Sequence, residues 1–289
     1  MSHFSVLVVG EDVESALAPF HEFECTGEDN EFVQNVDVTG DYADLQSVID
    51  DDIPIVPSEA MALVHGEHKW GFAVVEDGEL VKVVKRTNPN AQWDWYVVGG
   101  RFQGMLMVKP GCSGTLGEKP FFQKIIGQDK VPDPVGFDSA RKKDIDFEEM
   151  KATNKAQAKH DYDLVKEVTG GKIWTPWTHF RDSNADRQAA SILYREQEAI
   201  QAIRKDRDLR YYENIDQFLM MREEYVALKS QRALTFAVLL NGEWIQRGQC
   251  GWWGTVANER DEGNWSETYW NILDSIPGDA LLTVVDCHI

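Results

Sequence analysis

Two short stretches hold the residue types that do chemistry. LAPFHEFECTGEDNEF, residues 17 to 32, places His21 and Cys25 four apart among Glu22, Glu24, Glu28, Asp29 and Glu31, with no basic residue between them. The run ALLTVVDCHI closes on Asp286, Cys287 and His288. Imidazole and thiolate are ligands that zinc accepts in a tetrahedral shell of four. If the two stretches met, His21, Cys25, Cys287 and His288 would complete such a shell. The same residues would also suit a small zinc- or thiol-dependent hydrolase, with Asp286 orienting a histidine base. The plainer assignment makes Cys25 and Cys287 small buried hydrophobes and leaves the histidines at strand ends.

The rest of the sequence favours the plainer assignment. HExxH, GxSxG, paired CxxC, the Rossmann glycine set and an EF-hand loop are all missing from it. GCSGTLGEK resembles a phosphate loop but lacks the closing Gly-Lys-Ser/Thr that would aim a lysine and a magnesium ligand. Cys25, Cys112, Cys250 and Cys287 are widely scattered, so reduced thiols are expected, with no metal, no cofactor and no catalytic set.

Charge is the stronger signal. The 289 residues carry a net charge of −20, and it is unevenly placed. Residues 1 to 60 hold fifteen Asp or Glu and no Lys or Arg, whereas residues 141 to 232 are nearly balanced, eighteen basic against seventeen acidic. The last 57 residues carry two basic side chains against eight acidic ones. Phosphate neutralisation dominates nucleic-acid affinity, and acidic ends give that contribution the wrong sign. Direct nucleic-acid binding is therefore not expected. A basic protein surface is the natural complement of Glu28, Asp29, Asp50, Asp51 and Asp52. No apolar stretch is long enough to span a membrane. The opening MSHFSVLVVG has no basic lead-in and reads as a strand rather than an export signal, which suggests a cytoplasmic protein.

The elements that would position these residues form an α+β pattern. FSVLVVG and ALLTVVDCHI are near-continuous apolar runs, as expected of strands in the middle of one sheet. DYADLQSVID has helical spacing and stops at three aspartates, which oppose the helix dipole. Asp77-Gly78 and Asn241-Gly242 sit between β-rich runs and predict two hairpins. WDWYVVGGRFQGMLMVKP reads as two strands with a bulge or tight bend at Gly99-Gly100. Residues 184 to 232 contain neither Gly nor Pro, so one long helix or two antiparallel helices broken near KDRDLRYYEN are expected. The resulting organisation is an acidic α+β part over 1–139, a helical insertion over 140–232, and a return to the sheet over 233–289. Trp93 and Trp95 with Arg101, and Trp252 and Trp253 in GWWG, are residue types that dominate protein interfaces and become candidates for a partner surface.

MSHFSVLVVG, LAPFHEFECTG, WDWYVVGGRFQG, GWWG and DSIPGDALLTVVDCHI, in this order, resemble a family of bacteriophage anti-defence proteins. The match covers roughly residues 1 to 110 and 234 to 289, and departs at Phe102, where the family carries Trp. The family is similar to the inhibitor of Gabija, a bacterial nuclease–helicase defence complex. The resemblance implies a non-enzymatic homo-oligomer in the host cytoplasm that binds the defence complex and blocks DNA binding and cleavage.

Overall fold

A computed structural model describes residues 3–59, 61, 69–119, 134–212, 214–251 and 255–289. The chain divides into two compact units. One comprises residues 1–144, 235–259 and 277–289; the other comprises 145–234 and 260–276.

The first unit is built on β1 (His3–Val9). Every position from Phe4 to Val8 is buried, which explains the near-continuous apolar run, broken only by Ser5. Its antiparallel neighbour is the last strand, β12 (Leu281–His288), with His3 opposite His288 and Val9 opposite Leu282. On its other side β1 pairs in parallel with β8 (Ala237–Leu240), which turns through Asn241-Gly242 into β9 (Glu243–Gln246). Beyond β12, two short strands share one edge: β6 (Trp95–Val98) pairs with residues 285–288 and β7 (Ser139–Arg141) with residues 281–283. The expectation that the first and last strands lie together inside one sheet is met.

Alternation along these strands sorts the side chains by face. Phe4, Val6, Val8, Val285 and Cys287 form a core with Leu17 and Phe20. Leu17 ends α1 (Val13–Leu17), and Phe20 lies in the 3-10 turn that follows it at Pro19. Each such buried aliphatic contributes about 1.5–3 kcal/mol. His3, Ser5, Asp286 and His288 occupy the opposite face, because their positions alternate with that core.

A second sheet carries the acidic segment. Its order is β2 (Gln34–Asp37), β5 (Glu79–Thr87), β4 (Gly71–Glu76) and β3 (Ile55–Val56). The β4–β5 turn is Asp77-Gly78, with φ of 51° and 85°, the positive pair a tight hairpin requires. Short helix α2 (Phe23–Thr26) precedes this sheet, and α3 (Leu45–Asp50) packs Val48 against Ala73 and Val83. A small pair, β10 (Gln249–Cys250) and β11 (Val256–Ala257), flanks GWWG, whose Trp252 and Trp253 lie outside the described residues.

The second unit is helical. α4 (Phe147–Val168) starts on Asp146, whose carboxylate accepts from Glu149 N at 3.0 Å. It is followed by α5 (Trp177–Ser183), α6 (Arg187–Glu196), α7 (Glu198–Lys205), a 3-10 turn over 215–219 and α8 (Arg222–Ser230). Residues 184–232 are thus neither one helix nor a simple pair. They break at the expected KDRDLRYYEN segment and also at Gln197, whose extended backbone (φ −62°, ψ 131°) is shared between α6 and α7. Tyr162, Val165, Ile200, Ile203, Phe218 and Tyr225 form the core.

Two boundaries need correction. The units part at 144/145 and 234/235 rather than 139/140 and 232/233, and α9 (Glu262–Ser275) belongs with the helices rather than the sheet. Glu262 meets Lys229 at 2.6 Å, and Ser266 Oγ accepts from Ala233 N at 3.1 Å. Phe147 stands edge-on to Trp270. Chain order cannot reveal such a return. A further correction concerns WDWYVVGGRFQGMLMVKP: only its first half is a strand, and Leu106 makes an isolated bridge with Phe137.

Candidate functional site

Charged and aromatic side chains gather at the end of the central sheet where β1, β6 and β12 meet. His3 Nδ1 lies 2.8 Å from Asp286 Oδ1, and His288 Nδ1 lies 2.6 and 2.8 Å from the two oxygens of Asp94. An ionised carboxylate only accepts, so each Nδ1–H donates and each ring keeps Nε2 as its second nitrogen. The two imidazoles stand edge to face at 5.1 Å, and Trp95 stacks on His288 at 5.1 Å and 18°. His288 Nε2 is buried without a hydrogen-bond partner among the described residues.

Asp94 is the hub. Its carboxylate also accepts from Trp95 N at 2.7 Å, and its carbonyl accepts from His21 Nε2 at 3.0 Å. His21 in turn packs on Trp93. Glu22, Cys25 and Asp94 place one ligand-type atom each within 4.8 Å of one another. The Cys25 thiol donates to Glu22 at 3.3 Å, and partial burial, the Glu22 bond and surrounding carboxylates push it up to about 12.

The alternative four-ligand shell of His21, Cys25, Cys287 and His288 is not assembled. Cys287 and His288 are neighbours on β12 and therefore face opposite sides. Cys287 lies in the apolar core, where burial raises its thiol well above the ordinary value. His288 turns to Asp94, His21 to the Asp94 carbonyl, and Cys25 to Glu22. Asp286 engages His3 rather than His288, so a Cys–His–Asp triad through Cys287 is not formed either. All four cysteines are free thiols.

The Gly99-Gly100-Arg101 bend belongs to the same structure. Gly99 and Gly100 have φ of 80° and 53°, and a Cβ on them would lie 2.4 Å from Asp138 Oδ2 and 2.6 Å from Asp286 Oδ2. Arg101 N donates to Asp286 at 2.8 Å, while Gly104 N and Gly117 N donate to Asp138 at 2.6 and 2.7 Å. Burial raises the Asp138 carboxyl, and the two amides partly offset that. The glycines therefore admit the protein's own carboxylates. GCSGTLGEK closes on Asp138 in the same way through Gly117.

The candidate partner residues fall into two groups. Glu28, Asp29, Asp50, Asp51 and Asp52 are all exposed. Asp29 pairs with Arg86 at 2.6 Å. Trp95 is 41% exposed, and Arg101 presents its side chain at the surface. Trp93 is a correction: it is buried in the core, and its indole N–H donates to Leu17 O at 3.1 Å, so it is closed to a partner.

The acidic segment has a further feature that sequence reasoning missed. α3 ends in a Schellman motif, with Asp52 N donating to Ile49 O and Ile53 N to Val48 O, both at 3.1 Å. Asp52 occupies the left-handed position (φ 54°) that such motifs give to glycine. Of the fifteen acids before residue 61, four pair with a cation among the described residues: Glu11, Glu24, Asp29 and Glu59. From Asp37 to Asp52, six carboxylates are exposed and none forms an ion pair among the described residues. Ile49 and Ile55, 48% and 47% exposed, flank Asp50–Asp52 in the chain.

A comparison with protein families finds no matching family model, and comparisons with curated proteins and with solved structures find no match. Among the described residues, no helix is long and apolar enough to cross a membrane.

Proposed function

We infer that this chain is a non-enzymatic inhibitor that binds a bacterial DNA-processing defence complex and blocks its access to DNA. The observation that carries the reading is the run of exposed carboxylates from Asp37 to Asp52, none of them in an ion pair among the described residues. Three of them close α3 at its negative end, where each acid is unfavourable by about 0.3–1 kcal/mol. One of those, Asp52, also stands in a backbone position that favours glycine. Acids kept against local stability point to a use for their charge. A basic DNA-binding groove is their complement: charge speeds encounter, and apolar contacts such as Ile49 and Ile55 set the lifetime of the complex.

The sequence resemblance specifies the target as the Gabija nuclease–helicase complex and the inhibitor as a homo-oligomer acting in the host cytoplasm. The test is co-purification with that complex, followed by a DNA-cleavage titration. Inhibition saturating at a fixed molar ratio supports occlusion. Inactivation of a large excess of target by a trace of this protein excludes it.

A further inference from the structure

The helical unit contains a cavity of about 640 Å³ whose wall has nothing to do with the acidic segment. Its wall takes residues from both α6 and α7, which meet at the Gln197 kink. Gln197 Oε1 accepts from Thr175 N at 2.7 Å, and its Nε2 donates to Thr175 O at 3.0 Å and Tyr194 O at 3.2 Å. The side chain thereby fastens the Trp174–Pro176 segment beside the α6–α7 corner. On α6, Ser191, Tyr194 and Arg195 are spaced three and four apart and share a face; on α7, Ile200 and Arg204 do the same. All five line the cavity, as does Trp177.

Its chemistry is divided. Trp177 and Tyr194 meet edge to face at 5.8 Å and make an aromatic side. Arg195 and Arg204 make a cationic side, and both also line a contiguous recess of about 390 Å³ with Gln201 and Lys205. Arg195 and Lys205 have no ion pair or hydrogen bond among the described residues, and Arg204 donates only to Arg210 O at 2.7 Å. Two cations uncommitted among the described residues, Arg195 and Lys205, thus share one recess with Arg204. The one acid in the wall, Asp216, is already engaged. Its Oδ1 accepts from Trp174 Nε1 at 2.9 Å and Tyr194 OH at 2.7 Å, and its Oδ2 from Trp177 N at 2.5 Å.

We propose that this cavity binds a mononucleotide-class ligand, its planar base against Trp177 and Tyr194 and its phosphates on Arg195, Arg204 and Lys205. The volume lies in the range of small-ligand sites, about 300–1,000 Å³. Guanidinium groups match phosphate oxygens in paired hydrogen bonds, and an aromatic face accepts a base of any identity. A bare anion would leave the aromatic side empty, and an uncharged ring would leave the cations unused. The site is independent of the inhibitor reading and survives its failure.

Isothermal titration of the full chain with ATP, AMP, GTP, adenosine and pyrophosphate tests it. ATP or GTP should bind with a Kd below about 1 mM, and both adenosine and pyrophosphate should bind at least about tenfold more weakly. Arg195→Ala/Lys205→Ala removes exposed, unpartnered cations, and Ser191→Trp fills the cavity without touching charge. Each should weaken nucleotide binding about tenfold or more while the circular-dichroism melt of the double alanine variant stays at the wild-type value. The proposal is overturned by no nucleotide binding at millimolar concentration, by pyrophosphate binding as tightly as ATP, or by variants that bind like wild type. A single-stranded oligonucleotide or an acidic peptide binding in place of the nucleotides would overturn it equally.

Discussion

Cys287 and His288 are adjacent in the chain and sit on opposite faces of β12, one in the apolar core and the other bonded to Asp94. That single alternation separates the thiol from the imidazole and breaks up the metal shell and the hydrolytic triad alike. It also leaves two histidine–carboxylate pairs, His3–Asp286 and His288–Asp94, side by side on the polar face.

The glycine bend over those carboxylates should be intolerant of a side chain. Gly100→Ala sets a Cβ 2.6 Å from Asp286 Oδ2 and demands φ of 53°. It should destabilise by about 2–4 kcal/mol, from left-handed strain plus the clash. Gly242→Ala, at positive φ with nothing within 4 Å of the added Cβ, should cost only about 1 kcal/mol. Urea midpoints of the two variants check the difference; equal losses would refute the close approach.

Asp52→Gly should stabilise the protein by about 0.5–1 kcal/mol, because it relieves the left-handed position and removes an acid from the negative end of α3. The same change should slow association if the acidic run meets a basic target. A thermal melt reads the first effect and stopped-flow binding the second. A destabilised variant would contradict the Schellman assignment.

Neutralising Asp50, Asp51 and Asp52 together to asparagine should slow association with the defence complex and flatten its salt dependence, with a smaller effect on dissociation. Surface plasmon resonance across ionic strengths measures both. A change confined to the dissociation rate would mean that the charge acts at close contact and not in steering.

The thiols predict an alkaline weakness. Burial is the largest cause raising Cys25 to about 12 and Cys250 to about 11, so both keep their protons in the folded state after the unfolded chain has lost them. A raised folded value stabilises fully below the unfolded value, about 8.5, and that contribution is lost as pH rises toward 11 and 12. Urea midpoints should therefore fall above pH 9, and Cys25→Ser/Cys250→Ser should flatten the decline. At pH 8 Cys25, although at the surface, should alkylate more slowly than a free thiol, since the thiolate is the reactive form.

The residue pattern was enough for the local features. Two near-continuous apolar runs, interrupted only by Ser5 in one and by Thr283, Asp286 and His288 in the other, read as strands buried on both faces, and β1 and β12 are inner strands of the sheet. Asp77-Gly78 and Asn241-Gly242 tolerate positive φ at both turn positions, and both close hairpins. The helix stop at Asp50–Asp52 was legible from the dipole, although the Schellman geometry was not, because aspartate stands where glycine is the usual signal.

Tertiary structure decided the rest. Which residue faces which depends on strand register, and no local pattern places Asp94 on His288, 194 positions away, or Asp138 under Gly99. The affiliation of α9 depends on side-chain pairs such as Lys229–Glu262, formed only after the chain has crossed the sheet twice. The break at Gln197 has neither glycine nor proline to announce it; its side chain is tied instead to the backbone of Thr175, distant in sequence. Apolar periodicity and turn chemistry act over a few residues and can be read in order along the chain. Carboxylate pairing, burial of a thiol and the walls of a cavity are long-range contacts, and they exist only once the sheet and the helices have packed.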